Sequence, residues 1–172
     1  MRRYGIKAFD TSIYYGPSEI VLGNALQLIR DEFPRSSYLL VWLLLDTFRF
    51  SGLIQLQMTK CGRNGPNSFD YSPVAIRASV EKSLKRLQTP YLDTVYLHDT
   101  EFVADAYMPR KDGQHLSALT DEAEQYGLAR GDEATVRGEG DRQVLAAFSE
   151  LRKLKEEGLV RNIGITGKFS RI

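Results

Sequence analysis

"FDTSIYYGPSE", Phe9 to Glu19, carries the reading of this chain. An apolar run ends in Asp10, and Tyr14 and Tyr15 run into Gly16 ahead of Ser18 and Glu19. Ile6 to Phe9 is short and apolar, which suits a buried strand stopping at Asp10. Ser18 suits a helix cap, with Leu22, Leu26 and Ile29 on one side of the helix. The spacing then asks why Asp10 and Tyr15 stand five residues apart just past the end of a strand.

The same grammar returns further on. Ser72-Pro73 is a strong helix start, a cap followed by proline at the first helical position. Ile76, Val80, Leu84 and Leu87 recur at helical spacing, and Pro90 helps close that helix. Thr94 to Leu97 reads as a buried strand ending at His98-Asp99. Glu101 to Gly140 is mostly polar and is predicted to be a long loop with a short helix near Leu116 to Tyr126. Loops of that length are usually functional or mobile. Asp141 is predicted to cap the next helix, Leu145, Phe148, Leu151 and Leu154 to line one face, and Gly158 to stop it. Val160 to Ile165 is a further strand, ending at Thr166-Gly167. Alternating strands and helices predict an α/β fold with parallel strands and crossover helices.

The bulk composition narrows the function classes. The chain has 172 residues, enough for one domain with a real core. Hydrophobic residues make up 42% and charged residues 26%, as in ordinary globular proteins. A net charge of +1 gives no broad field toward nucleic acid or acidic membranes. The single cysteine, Cys61, excludes an internal disulfide framework and fits a reducing compartment, so a cytoplasmic location is expected. The start has no apolar signal region, and the longest apolar run, Tyr38 to Leu45, is too short to span a bilayer.

Polar groups fall where apolar strands end: Asp10, Lys60, His98 and Thr166, with Tyr15 just past the first. In a parallel barrel the strand ends converge on one face, and chemistry occurs there. A tyrosine near a lysine is a sensible acid–base pair, because the ammonium stabilises the phenolate. An aspartate beside the lysine holds it in place, and a histidine at a neighbouring strand end can orient a substrate oxygen. Each residue also has an ordinary reading. Asp10-Thr11 suits a turn cap, Tyr15 packing, His98 a satisfied strand end and Lys60 a solvated surface. His115 reads as surface and Cys61 as a small buried residue rather than a nucleophile. The order of all four at strand ends favours chemistry. No metal-ligand cluster is present in the sequence.

With these residues in view, the sequence resembles the aldo-keto reductases. "FDTSIYYGPSE" resembles that family's Asp-Thr-Ala/Ser segment followed by Tyr-Gly and Ser-Glu. "MTKCGR" resembles its lysine strand, "YLDTVYLHD" its histidine strand, and "LRKLKEEGLVRNIGITG" the segment leading to the nicotinamide carboxamide. The resemblance implies a TIM barrel of eight strand–helix units. It makes Asp10, Tyr15, Lys60 and His98 the catalytic set and Thr166 and Gly167 cofactor-binding residues, with NAD or NADP as cofactor and no metal. Tyr15 would be the general acid in reduction and, as phenolate, the base in oxidation. Lys60 would stabilise that phenolate, Asp10 would pair with Lys60, and His98 would position the substrate oxygen. "TKCGRNGPNSFDYSP" and the long acidic loop resemble a sugar-dehydrogenase branch. That branch oxidises the anomeric hydroxyl of an aldose to a lactone. D-arabinose is the expected substrate, ahead of L-galactose and L-fucose-like sugars.

The chain departs from that pattern in two ways. A complete barrel takes typically about 250 residues, and this chain matches approximately strands two to five, one domain over residues 1–172 that is incomplete at both ends. The expected consequence is a polypeptide that carries the catalytic four and is inactive for want of its cofactor half. The competing expectations are a non-enzymatic binding subunit and a non-functional gene-model fragment. Second, Val41 to Gln57 interrupts a "SSYLL" to "MTKCGR" junction. Valine codons begin GT and Gln57 can be CAG, so this stretch reads as a retained intron, against an ordinary inserted strand or helix. Gly167-Lys168-Phe169 can likewise encode GTAAGT, a donor sequence, with "KFSRI" as read-through. The apolar run Phe48, Phe50, Leu53, Ile54 and Leu56, in an open part-barrel, predicts low solubility.

Overall fold

The structure, a computed structural model, describes residues 8–28, 56–105, 120–126, 131 and 134–167. Residues 41–55 of the interrupting stretch lie outside these, as do Ile6, Ile29, His115 and residues 168–172. Its last two residues, Leu56 and Gln57, begin a strand.

The first elements are β1 (Ala8–Asp10) and α1 (Ser18–Leu28). They lead to β2 (Leu56–Cys61) and a short hairpin, β3 (Arg63–Gly65) and β4 (Ser68–Phe69). Then come α2 (Pro73–Leu87), β5 (Leu92–His98), α3 (Glu139–Glu156) and β6 (Val160–Thr166). The main sheet runs β1-β2-β5-β6, each neighbouring pair parallel. Chain-consecutive strands lie side by side with helices in the crossovers, which is the strand–helix progression of a β/α barrel. The hairpin was not foreseen. Its strands are three and two residues long and have no apolar alternation to announce them.

The helices form where the sequence allows. Ser72 caps α2, its hydroxyl accepting from the Ala75 N–H, and Pro73 opens the helix. Ile76, Val80 and Leu87 from α2, with Ala147, Leu151 and Leu154 from α3, are buried against Val95 and Leu97 of β5. Burying each large apolar side chain contributes about 1.5–3 kcal/mol. Arg77 ties the two helices together, donating to Glu150 (2.6 Å) and to Glu157 (2.7 and 2.8 Å). Gly158 follows α3 at φ +78°, where a left-handed residue ends the helix.

Two expectations about α3 need correcting. Asp141 is not its cap. The helix starts two residues before it, with Gly138 at the cap position, and Asp141 sits in the first turn. From there its carboxylate accepts from the Arg137 N–H (2.9 Å) and the Asp105 N–H (3.0 Å) and pins the incoming loop. Leu145 is not on the buried face but 53% exposed. The face that meets the sheet runs through Val144, Ala147, Phe148, Leu151 and Leu154 at three- and four-residue steps. In the long loop the described helical piece near the predicted one is a single 3-10 turn, Ala123–Tyr126.

Candidate active site

Side chains alternate along a strand, so neighbours on β2 serve different faces. Thr59 points to the helices. Its hydroxyl donates to Glu19 on α1 at 2.6 Å, and the Ser83 hydroxyl of α2 donates to the same oxygen at 2.7 Å. Lys60 takes the other face. Its ammonium donates to the Asp10 carboxylate at 2.6 Å and to the Thr11 carbonyl at 3.0 Å. Lys60 is in register with Tyr96 on β5, and His98, two residues on, shares that face.

Three strands thus bring Asp10, Lys60 and His98 to their carboxyl-terminal ends, and the turn after β1 adds Tyr15. Lys60 Nζ lies 5.0 Å from the centre of the Tyr15 ring, and the His98 ring stands edge-on to it at 5.8 Å. Lys60 is 7% exposed and ion-paired, which removes the solvated reading. Tyr15 is 45% exposed, so it lines the rim rather than packing in the core. Asp10 serves Lys60, while the turn is tied by its neighbour, the Thr11 hydroxyl lying 2.8 Å from that of Ser18. Cys61 is buried, with its thiol pushed up to about 12 by burial, which fits a packing residue and not a nucleophile.

His98 is the most elaborately held of the four. The buried Tyr71 hydroxyl donates to its backbone carbonyl at 2.9 Å. Ser12 Oγ lies 3.2 Å from Nδ1, and Asp99 Oδ2 lies 3.7 Å from Nε2. Burial holds the imidazole below its ordinary pKa. Asp99 opposes that shift, whereas Lys60 and Arg63 reinforce it. Asp99 has a left-handed backbone (φ 60°) and forms an ion pair with Arg63. The Arg63 guanidinium also donates to the carbonyls of Gly65 and Pro66 and lies 4.6 Å from the centre of the Tyr14 ring. Sequence reasoning missed Ser12, Arg63, Tyr71 and Asp99. All four stand within the quoted motifs, but nothing local announces their contacts: Arg63, two residues past the end of β2, meets Asp99 at the end of β5.

Thr166 ends β6 in register with His98. Its hydroxyl lies 3.4 Å from both the Asp99 N–H and the Leu97 carbonyl. Gly167 follows, exposed at the rim, and a Cβ there would lie 2.5 Å from the Glu101 carboxylate, so a side chain at this position would displace Glu101. A hydroxyl and an open stretch of backbone beside His98 fit the carboxamide edge of a nicotinamide. Among the described residues no group of three His, Cys, Asp or Glu side chains is placed to hold a metal ion. No described helix is long and apolar enough to cross a membrane. An open cleft of about 460 Å³ lies at the start of α2 and α3, lined by Tyr71, Ser72, Glu139 and Arg142 among others. None of the four strand-end side chains lines it, so it is separate from this cluster.

Comparisons with known proteins place the chain among relatives. The chain is 37% identical over 164 residues to D-arabinose 1-dehydrogenase of Saccharomyces cerevisiae, covering 95% of this chain and 33% of that protein. It is 33% identical over 167 residues to L-galactose dehydrogenase of Arabidopsis thaliana, covering 96% of this chain and 35% of that protein. The chain therefore spans about a third of the length of these curated relatives. A solved structure from Pseudomonas aeruginosa, assigned to the aldo-keto reductases, superposes with a TM-score of 0.54 at 26% identity, over 96% of this chain and 44% of that one. An aldo-keto reductase complexed with NADPH shares the fold at a TM-score of 0.51 and 15% identity, over 94% of this chain and 34% of that one. Residues 1–171 match the Aldo/keto reductase family. With the strand-end cluster, the parallel sheet and this match in agreement, the chain belongs to the aldo/keto reductase family.

Proposed function

We propose that this chain is the acid–base segment of an NAD(P)-dependent sugar dehydrogenase that oxidises the C1 hydroxyl of an aldose, D-arabinose first, to a lactone. The observation that carries the reading is the cluster in which Lys60 joins Asp10 at 2.6 Å and lies beside the exposed Tyr15 and His98. The sugar preference rests on similarity to the yeast and plant sugar dehydrogenases.

In the oxidation, C1 of the sugar loses hydrogen with its electron pair while the anomeric oxygen loses a proton. Tyr15, as phenolate, takes that proton, and a C1=O bond forms. Lys60 stabilises the phenolate, and Asp10 holds the ammonium in place. His98, neutral at working pH, holds the reacting oxygen. Nicotinamide dinucleotide, when bound, accepts the hydride, and Thr166 and Gly167 would hold its carboxamide edge.

The described sheet has four parallel strands, half of the eight that close a barrel. We therefore assign activity to the barrel completed by the remaining strands and expect this chain alone to be inactive. Titration of NAD and NADP against both forms tests this, with D-arabinose oxidation as the readout. Oxidation by the completed barrel that Tyr15→Phe abolishes supports the reading. Oxidation that survives Tyr15→Phe, or a completed barrel that binds neither nucleotide, overturns it.

A further inference from the structure

We propose that Ser12 is a positioning residue for His98: its hydroxyl donates to Nδ1 and thereby places the ring proton on Nε2, the nitrogen that meets the substrate oxygen. The assignment of that oxygen to His98 rests on the function proposed above.

Counting hydrogens favours one direction for that bond. Ser12 is fully buried and His98 is 5% exposed, so neither has water as an easy substitute partner. Ser12 Oγ accepts the Tyr14 N–H at 3.2 Å. Having accepted there, the hydroxyl still has its own hydrogen to place, and Nδ1 stands 3.2 Å away. A donor at Nδ1 requires a lone pair on that nitrogen, so the proton of the neutral ring sits on Nε2.

The opposite edge of the ring agrees independently. Asp99 Oδ2 lies 3.7 Å from Nε2, held there by its ion pair with Arg63 and by a left-handed backbone. A bare nitrogen lone pair facing that carboxylate is repelled, whereas an N–H is attracted. The charged groups facing the ring are Lys60 from β2, Arg63 from the hairpin, Asp10 from β1 and Asp99 after β5. Tyr14 and Tyr15 stand at its sides, 6.2 and 5.8 Å between ring centres. Burial and the two cations disfavour the imidazolium, so the tautomer of the neutral ring decides whether the outward nitrogen donates or accepts. An Nε2–H donor suits an oxygen that is becoming a carbonyl.

The test reads the tautomer directly. The full chain has two histidines, so His115→Asn leaves His98 as the sole signal in long-range proton–nitrogen spectra. The expected result is an Nε2–H tautomer in the otherwise native chain. Ser12→Ala should raise the Nδ1–H share by about threefold or more and move the His98 titration to higher pH, because the neutral ring loses a donor. Ser12→Thr, which keeps a hydroxyl, should restore both. An Nδ1–H ring in the native chain overturns the proposal, even should the threonine variant not fold. So does a Ser12→Ala chain in which tautomer and titration are unmoved. The measurement needs neither sugar nor nucleotide. An Nε2–H ring in a completed barrel that oxidises no sugar would uphold the tautomer and sink the oxidation reading alone.

Discussion

Thr59 and Lys60 are adjacent on one strand, and each meets a carboxylate, but the two acids have different surroundings. Glu19, the partner of Thr59, is fully buried between β2, α1 and α2. Asp10, the partner of Lys60, keeps half of its side chain exposed at the strand end. The outward pair locks helices to the sheet, while the inward pair stands open to a ligand. A β/α barrel separates these duties by the alternation of its strands, so stability and chemistry change independently at neighbouring positions.

The largest effect expected from breaking this contrast is on the inward side. In the completed barrel Lys60→Met should cut sugar oxidation roughly 10²–10⁴-fold. Thermal melting should change little by comparison, because the Asp10 carboxylate left behind reaches water. A variant that loses activity only in proportion to lost folded protein would break the separation.

On the outward side, Glu19→Ala should cost about 2–4 kcal/mol of stability, since it leaves the Thr59 and Ser83 hydroxyls without their acceptor. Denaturant melts would show this, and turnover per folded molecule should stay near native. A kcat that falls with Glu19→Ala would show that the helix lock also shapes the rim.

The pH dependence is smaller. His98 is held below its ordinary pKa, so the unfolded chain takes up its proton first as pH falls. Its contribution is therefore fully present above the ordinary histidine value and is lost as pH falls through the folded value. His98→Gln should flatten the melting temperature across that mildly acidic window. An unchanged slope would show that other groups set it.

The smallest effect is at the outer helix surface. Arg77→Ala, which unties α2 from Glu150 and Glu157, should lower the melting temperature less than Glu19→Ala does, because solvent screens the guanidinium at the surface.

The strand ends were legible in the sequence because an apolar run that stops at a charged residue, in an alternating α/β chain, marks a strand leaving the core. His98 ends β5 and Lys60 stands one residue before the end of β2, as that rule has it. Asp10 ends β1, but that strand is an exposed edge of the described sheet and not the buried strand expected. Ser72-Pro73 opens its helix as capping chemistry requires. Asp141 misleads because an aspartate suits the first turn of a helix as well as its cap. Leu145 misleads because it stands at steps of three from Phe148, Leu151 and Leu154. A run of threes drifts by about 60° per step around a helix of about 3.6 residues per turn, so it leaves any one face. Arg63, Asp99 and Ser12 were illegible because their meaning lies in contacts across the fold. Arg63, just past the end of β2, pairs with an aspartate 36 positions away, and a serine reaches a histidine 86 positions away.

The most direct test of the account follows the hydrogen at C1. D-arabinose deuterated at that carbon is given, with NAD or NADP, to the completed barrel bearing these residues. The account requires the deuterium to appear on the reduced nicotinamide, with lactone formed and the transfer lost in Tyr15→Phe. Deuterium released to water, or transfer that survives the loss of the Tyr15 hydroxyl, would contradict it.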